Sequence, residues 1–184
     1  MDLTKAIKER HCVRKFSDKK PNWRKIIECL DSVRYSPMAG NNFTLKLILV
    51  SDKEKIKKIA DACQQDFIKQ AHYVVVFCSI PERTELSYEE KGKIYARQQA
   101  GAAIENFFLS IQEAGLATCW VGHFVEEQIK RELKIPAKAQ VEAVFPIGYE
   151  FEKTHKRKKI DMDAILYFDK YDNKQMKKIK GLNV

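Results

Sequence analysis

The stretch that most narrows the folds open to this chain covers residues 95–114. Its apolar residues keep a helical spacing. From position 100 to 111 they occupy nearly every side of the helix, as Ala100, Ala102, Ala103, Ile104, Phe107, Phe108, Leu109 and Ile111. A helix that is apolar all round is a buried one. At a rise of about 1.5 Å per residue it spans about 30 Å, most of the width of a small domain. Gly101, Ala102 and Ala103 leave one part of it slim enough for a second helix to approach, which suits a helix–helix or dimer seam. Gly115 is placed to stop it as the left-handed residue after the C-cap.

The remaining elements alternate around that helix. Residues 2–9 read as a short helix with Leu3 and Ile7 on one face, and residues 23–33 as an amphipathic helix through Trp23, Ile26, Ile27, Leu30 and Val33. Ser36 to Asn42 is rich in small and turn-forming residues and reads as a loop with free backbone N–H groups. Leu45 to Ser51 alternates as a strand with both faces at least partly buried. Residues 52–69 form a helix capped by Asp52, with Ile56, Ile59, Ala60, Cys63 and Phe67 as its stripe. The run from Tyr73 to Cys78 is a fully buried strand. Residues 81–93 are polar and read as a surface excursion. A strand over 117–121, a helix over 126–133 and a strand over 141–147 follow, and Pro146 should hold that last strand to an edge or bulge.

One domain with a real core is the expectation for 184 residues with no shift in composition. No apolar run reaches the ~20 residues of a membrane span. The opening Met1-Asp2-Leu3-Thr4-Lys5 lacks the apolar core of a signal peptide, so a cytoplasmic protein is expected. The five cysteines are widely spaced and include no Cys-x-x-Cys pair, which argues against a disulfide framework or a zinc site. The formal charge is +9, and residues 153–180 alone carry ten Lys/Arg against four Asp. Such a basic tail can bind nucleic acid nonspecifically or bring charge to a phosphorylated cofactor. No nucleic-acid recognition signature accompanies it.

Arg10-His11-Cys12-Val13-Arg14-Lys15-Phe16 packs two arginines, a lysine and a histidine at the end of the first helix. Arginine forks at such a place suit a phosphate, although a solvated charge run is the plainer reading of the stretch alone.

Five stretches together resemble the nitroreductase family of flavin mononucleotide (FMN) enzymes. The 10–16 motif resembles the family's N-terminal Arg-Arg/His-Ser-x-Arg/Lys-x-Phe/Tyr. Ser36-Pro37-Met38-Ala39-Gly40-Asn41 is similar to its Ala-Pro-Ser-x-x-Asn loop, and residues 100–109, with Glu105-Asn106, to its central helix. Gly115-Leu116-Ala117-Thr118-Cys119-Trp120-Val121-Gly122 is similar to Gly-Leu-Gly-Ser/Thr-Cys-Trp-x-Gly. Arg157-Lys158-Lys159 resembles the C-terminal basic pair.

The resemblance implies an α+β fold, a central and mostly antiparallel sheet flanked by helices. It implies a homodimer with FMN at the interface, in which the 153–184 extension wraps over the partner subunit. Arg10, with Arg157 and Lys159, would bind the FMN phosphate, and His11 and Cys12 would lie beside it. Arg14 would face the pyrimidine edge and tune the flavin. Pro37, Met38, Ala39 and Asn41 would reach the flavin of the other subunit. Trp120, Val121 and Gly122 would pass near the ring with backbone N–H groups in reach.

FMN would carry the chemistry, so no catalytic side chain and no metal is expected. NAD(P)H and a small acceptor such as a nitroaromatic or quinone would be the substrates. Dehalogenation, flavin reduction, flavin binding without turnover and, more distantly, nucleic-acid binding are the alternatives. Met38 and Phe43 stand where the family often has Ser and Gln, Gln99 where it often has Asp, and Cys12 where it has Ser. Cys119 reads as a buried strand residue rather than a redox group. Trp120 is open between core packing and flavin contact.

Overall fold

In a computed structural model, the described residues are 2–153 and 158–176. They belong to two compact units, Met1–Lys153 and Thr154–Val184.

The first unit is α+β. Helix α1 (Leu3–Glu9) leads to α2 (Trp23–Asp31), β1 (Leu45–Val50), α3 (Lys53–Cys63), β2 (Tyr73–Ser79), α4 (Glu82–Tyr88), α5 (Glu90–Glu113), β3 (Ala117–Thr118), α6 (Glu126–Leu133) and β4 (Gln140–Gly148). The four strands make one sheet in the order β1-β2-β4-β3, and every pair is antiparallel. Strand β2 is buried along its whole length because it lies inside the sheet with helices on both faces. Val75 and Phe77 join the core under α2 and α5, while Val74, Val76 and Cys78 join the core under α3 and α6.

Local chemistry sets several boundaries. Asp52 accepts from the N–H groups of Glu54 and Lys55 and starts α3. Helix α5 ends in a Schellman motif: Gly115, at φ +68°, donates to Gln112, and Leu116 donates to Ile111.

Several expectations change. Residues 81–93 lie mostly at the surface, as expected, but they are helical, forming α4 and the start of α5. The segment has no apolar stripe, so periodicity cannot reveal it. It is held by a close approach instead: a Cβ on Gly92 would meet the Glu85 backbone at 2.5 Å. The helix expected over 52–69 stops at Cys63, where Gln64 turns left-handed, and resumes as a 3-10 turn at Asp66–Gln70. Likewise α2 ends at Asp31, and residues 32–35 follow as a 3-10 turn.

An edge or a bulge is expected from Pro146, but β4 is interior, and its irregularity against β2 falls between Ala143 and Val141, away from Pro146. Val121 and Val144 exchange both backbone hydrogen bonds, so alternate N–H groups of β4, at positions 144, 146 and 148, face the β3 side. Pro146 therefore falls opposite Cys119-Trp120, where β3 leaves the ladder, and no bond is lost. For the same reason the strand expected over 117–121 shrinks to two residues and an isolated bridge at Val121.

The long helix is not covered on every side. Ala96, Ala100, Ala103, Ile104, Phe107, Phe108 and Ile111 are buried, yet a Cβ on Gly101 would meet nothing within 4 Å. The α1 stripe is likewise open, with Leu3 66% and Ile7 53% exposed.

The second unit, by itself, contains a short helix α7 (Met162–Ile165). The Tyr167 and Tyr171 rings meet at 4.8 Å, and Lys174 Nζ sits 3.8 Å over Tyr167. Among the described residues, no helix is long and apolar enough to cross a membrane, and no group of three His, Cys, Asp or Glu side chains could hold a metal.

Candidate active site

The 10–16 motif starts where α1 stops. Arg10 is the C-cap, with its N–H donating to Ala6 O at 2.9 Å. The chain then extends, and Val13 N–H donates to Thr118 O at 2.9 Å. Phe16 pairs with Glu150 in an antiparallel bridge and lies on the end of β4. A Cβ on Gly148 would meet the Phe16 ring at 2.7 Å, so glycine is what lets the motif close on the sheet. Buried Val13 and Phe16 are the two anchors, and the charged residues between and before them are left facing outward.

The motif gathers a cluster. The Arg10 guanidinium sits 5.4 Å over the Phe108 ring, and its Nε lies 3.7 Å from Glu105 Oε1. The Trp120 ring stacks on Phe108 at 6.1 Å and meets Phe145 edge-on at 5.9 Å. Trp120 stays 41% exposed, so it serves the core on one side and is open on the other. His11 is bracketed by oxygens, with Nδ1 2.8 Å from Glu9 O and Nε2 2.9 Å from Glu150 Oε1. The Arg14 guanidinium is 6.0 Å from the Phe67 ring. Cys12 lies within electrostatic reach of both arginines. Its thiol is pulled down to about 5, first by a hydrogen bond from Cys119, then, against burial, by the Trp120 N–H and by Arg10 and Arg14.

Arg10, His11, Val13, Phe108 and Thr118 line a cleft of about 120 Å³. Pro37, Met38 and Ala39 line a different cleft, of about 220 Å³, with Tyr95, Gln98 and Gln99. Asn41 follows in a turn where Gly40 (φ +56°) and Asn41 (φ +57°) are both left-handed. Both clefts open along α5, but at positions about ten residues apart, or ~15 Å along a helix. One copy of the chain therefore does not bring the two groups together. Each cleft is bordered by a buried polar atom without a partner, Thr118 Oγ1 in the first and Gln99 Nε2 in the second. Gln99 spends its oxygen on Thr44, accepting from the N–H at 2.9 Å and the hydroxyl at 2.6 Å, which leaves its NH2 unused.

Other expected residues fall differently. Val121 is buried and its N–H is committed to Val144 O at 3.0 Å, so it has no N–H to offer a ligand. The Trp120 N–H is turned to Cys12, while Gly122 remains exposed. Arg157 lies outside the described residues, and Lys159 belongs to the second unit. Among the described residues, Thr84 Oγ1, Gln99 Nε2 and Thr118 Oγ1 are buried without a partner, a feature that only packing reveals.

The family model for the nitroreductase family matches residues 7–69 and 61–149, which contain the cluster apart from Glu150. The chain belongs to the nitroreductase family. Among its relatives, a protein of Archaeoglobus fulgidus provisionally named NADH dehydrogenase/NAD(P)H nitroreductase is 27% identical over 153 residues, covering 80% of this chain and 85% of that one. The FMN reductase [NAD(P)H] of Bacillus subtilis is 21% identical over 192 residues, covering 94% and 75%. Among solved structures, a nitroreductase family protein from Clostridium novyi NT superposes with a TM-score of 0.76 at 27% identity, covering 94% of this chain and 96% of that one. The antiparallel sheet flanked by helices is thus the nitroreductase fold, and membership makes this chain one of a family of oxidoreductases.

Proposed function

We propose that the chain is an FMN-dependent NAD(P)H oxidoreductase that passes two electrons to a small acceptor such as a nitroaromatic or a quinone. The observation that carries this reading is the cluster around Cys12, where Arg10, Arg14, Trp120 and the unpartnered Thr118 hydroxyl come from separate elements of a nitroreductase-family chain. When bound, FMN would supply the electron transfer itself. The residues present fit such a group. They offer cations for a phosphate, an open indole face for a ring and unpaired hydrogen-bonding atoms at two clefts.

The roles follow from charge. A phosphate carries close to two negative charges, and each charge-assisted hydrogen bond to it contributes about 1.5–3 kcal/mol. Arg10 would answer part of that charge. Arg14 puts a further cation where a flavin gains negative charge on reduction.

A homodimer belongs to the same proposal. Neither cleft reaches the ~300 Å³ at which small-molecule sites begin. A second copy would bring the Pro37–Asn41 loop to the Arg10 cluster. It would also cover the open groove of about 390 Å³ that Leu3, Tyr35 and Leu109 line between α1 and α5. There the uncovered small residues of α5 would find their seam.

The purified protein should show flavin absorbance that bleaches anaerobically with NADH or NADPH, and it should sediment as a dimer at micromolar concentration. Bound flavin without bleaching would leave a binding protein, and no flavin uptake at all would overturn the assignment.

A further inference from the structure

Two cysteines that are 107 positions apart in sequence meet in the fold. The backbones touch one residue away from each thiol, at the Val13 N–H···O Thr118 bond of 2.9 Å. That bond sets residues 12 and 119 opposite each other, and each thiol acts on the protonation of the other. The Trp120 peptide serves both: its N–H points at Cys12, and its carbonyl lies 3.8 Å from Cys119 Sγ. Residues opposite each other on antiparallel chains have Cα atoms about 4.5–5.5 Å apart, within the range a disulfide spans. Cys12 is partly exposed and Cys119 is buried behind it. That is the arrangement of an attacking thiol with a resolving one.

We propose that Cys12 and Cys119 form a reversible dithiol–disulfide pair that is oxidised by hydroperoxides. It is a modification site beside the candidate flavin site, and it requires no flavin to operate. The Cys12 thiolate attacks one peroxide oxygen and breaks the O–O bond. Cys12 becomes a sulfenic acid, and the other oxygen leaves and takes up a proton as water or an alcohol. The Cys119 sulfur then attacks the Cys12 sulfur. The S–S bond forms, the S–O bond breaks, and the Cys119 proton leaves with the hydroxide as water. Two thiols have lost two electrons and two protons, and one hydroperoxide has been reduced.

The charge distribution selects this pair from the five cysteines. Cys12, lowered to about 5, is a thiolate at neutral pH. Burial pushes Cys29 and Cys78 up to about 11 and Cys63 up to about 12, which keeps all three as inert thiols. Cys119 is raised as well, because its proton is held by the Cys12 anion and by burial, so it waits until Cys12 has been oxidised. Once formed, the bond ties the segment carrying Arg10 and Arg14 to the strand carrying Trp120, and it removes the anion between the two arginines.

The test is a thiol map of the full-length protein titrated with hydrogen peroxide, blocked with N-ethylmaleimide, digested without reductant and read by mass spectrometry. Two of the five thiols should disappear as a single Cys12–Cys119 cross-link within one chain, and dithiothreitol should restore them. Without peroxide, iodoacetamide should label Cys12 with a pH midpoint near 5. Cys119→Ser should give no cross-link and leave a sulfenic acid at Cys12 that dimedone traps. The proposal is overturned if wild-type Cys12 passes to sulfinic or sulfonic acid with Cys119 still a thiol. Cross-links that join two chains, or five thiols that survive excess peroxide, overturn it equally. The wild-type map decides the matter even if the Cys119 variant does not fold.

Discussion

The two faces of the sheet are packed with different materials, and the difference locates the function. The face under α3 and α6 is aliphatic: Val50, Ile56, Ile59, Val74, Val76, Ile129 and Val144, with Cys63 and Cys78 as small fillers. Short branched side chains dominate that layer, which borders a cleft of about 320 Å³ at Lys53, Ile56 and Lys57. The face under α5 is aromatic, with Phe77, Phe107 and Phe145 meeting in pairs at 5.0–5.8 Å and Phe108 edge-on to Phe145 at 5.6 Å. Flat rings fill a core but leave edges and faces at its border, and there the layer continues into Trp120, Arg10 and the two clefts. Strand β2 serves both layers from alternate residues, so a single strand separates an aliphatic side from an aromatic one.

Truncations on the two faces should show the largest effects. Phe107→Ala should cost about 3–5 kcal/mol, and Ile59→Ala about 2–5 kcal/mol, in urea unfolding. Both residues are fully buried. The faces differ in what else is lost: Phe107→Ala should also weaken flavin retention in the protein that remains folded, whereas Ile59→Ala should not. Equal flavin loss from both would erase the distinction between the layers.

Arg10→Ala should come next, weakening flavin binding by about 10- to 150-fold, the equivalent of ~1.5–3 kcal/mol. Arg10 also covers the Phe108 ring, so some loss of melting temperature is expected. A variant that unfolds while its soluble fraction keeps normal flavin affinity would make Arg10 a packing residue of the aromatic face.

The smallest effect should belong to Arg14, whose guanidinium lies by Phe67 rather than on the aromatic stack. Arg14→Gln should leave flavin bound and lower its midpoint potential by tens of millivolts, with ~30 mV per 1.4 kcal/mol as the scale. A redox titration measures this. An unchanged potential together with much weaker binding would move Arg14 to the phosphate.

Short-range signals made much of this protein legible from its residues alone. Asp52 capping α3, Gly115 closing α5, the apolar run of β2 and the 10–16 motif each depend on neighbours within a few positions, so the sequence carries them intact. The order of helices and strands followed from those local features, and the family resemblance, which implied the α+β class, rested on motifs of the same kind. What could not be read depended on contacts between distant segments. Helix α4 exists because Gly92 lets it rest on α5, and nothing in its own pattern says so. Pro146 sits in an interior strand because β3 breaks opposite it. The two clefts lie on one helix about ten residues apart, and the Thr118 and Gln99 orphan atoms border them only once the sheet and α5 are packed. The meeting of Cys12 with Cys119 is of the same kind. Composition and spacing counted five separate cysteines, and only the fold set two of them opposite each other, through the backbone contact between residues 13 and 118 and the anchoring of Val13 and Phe16.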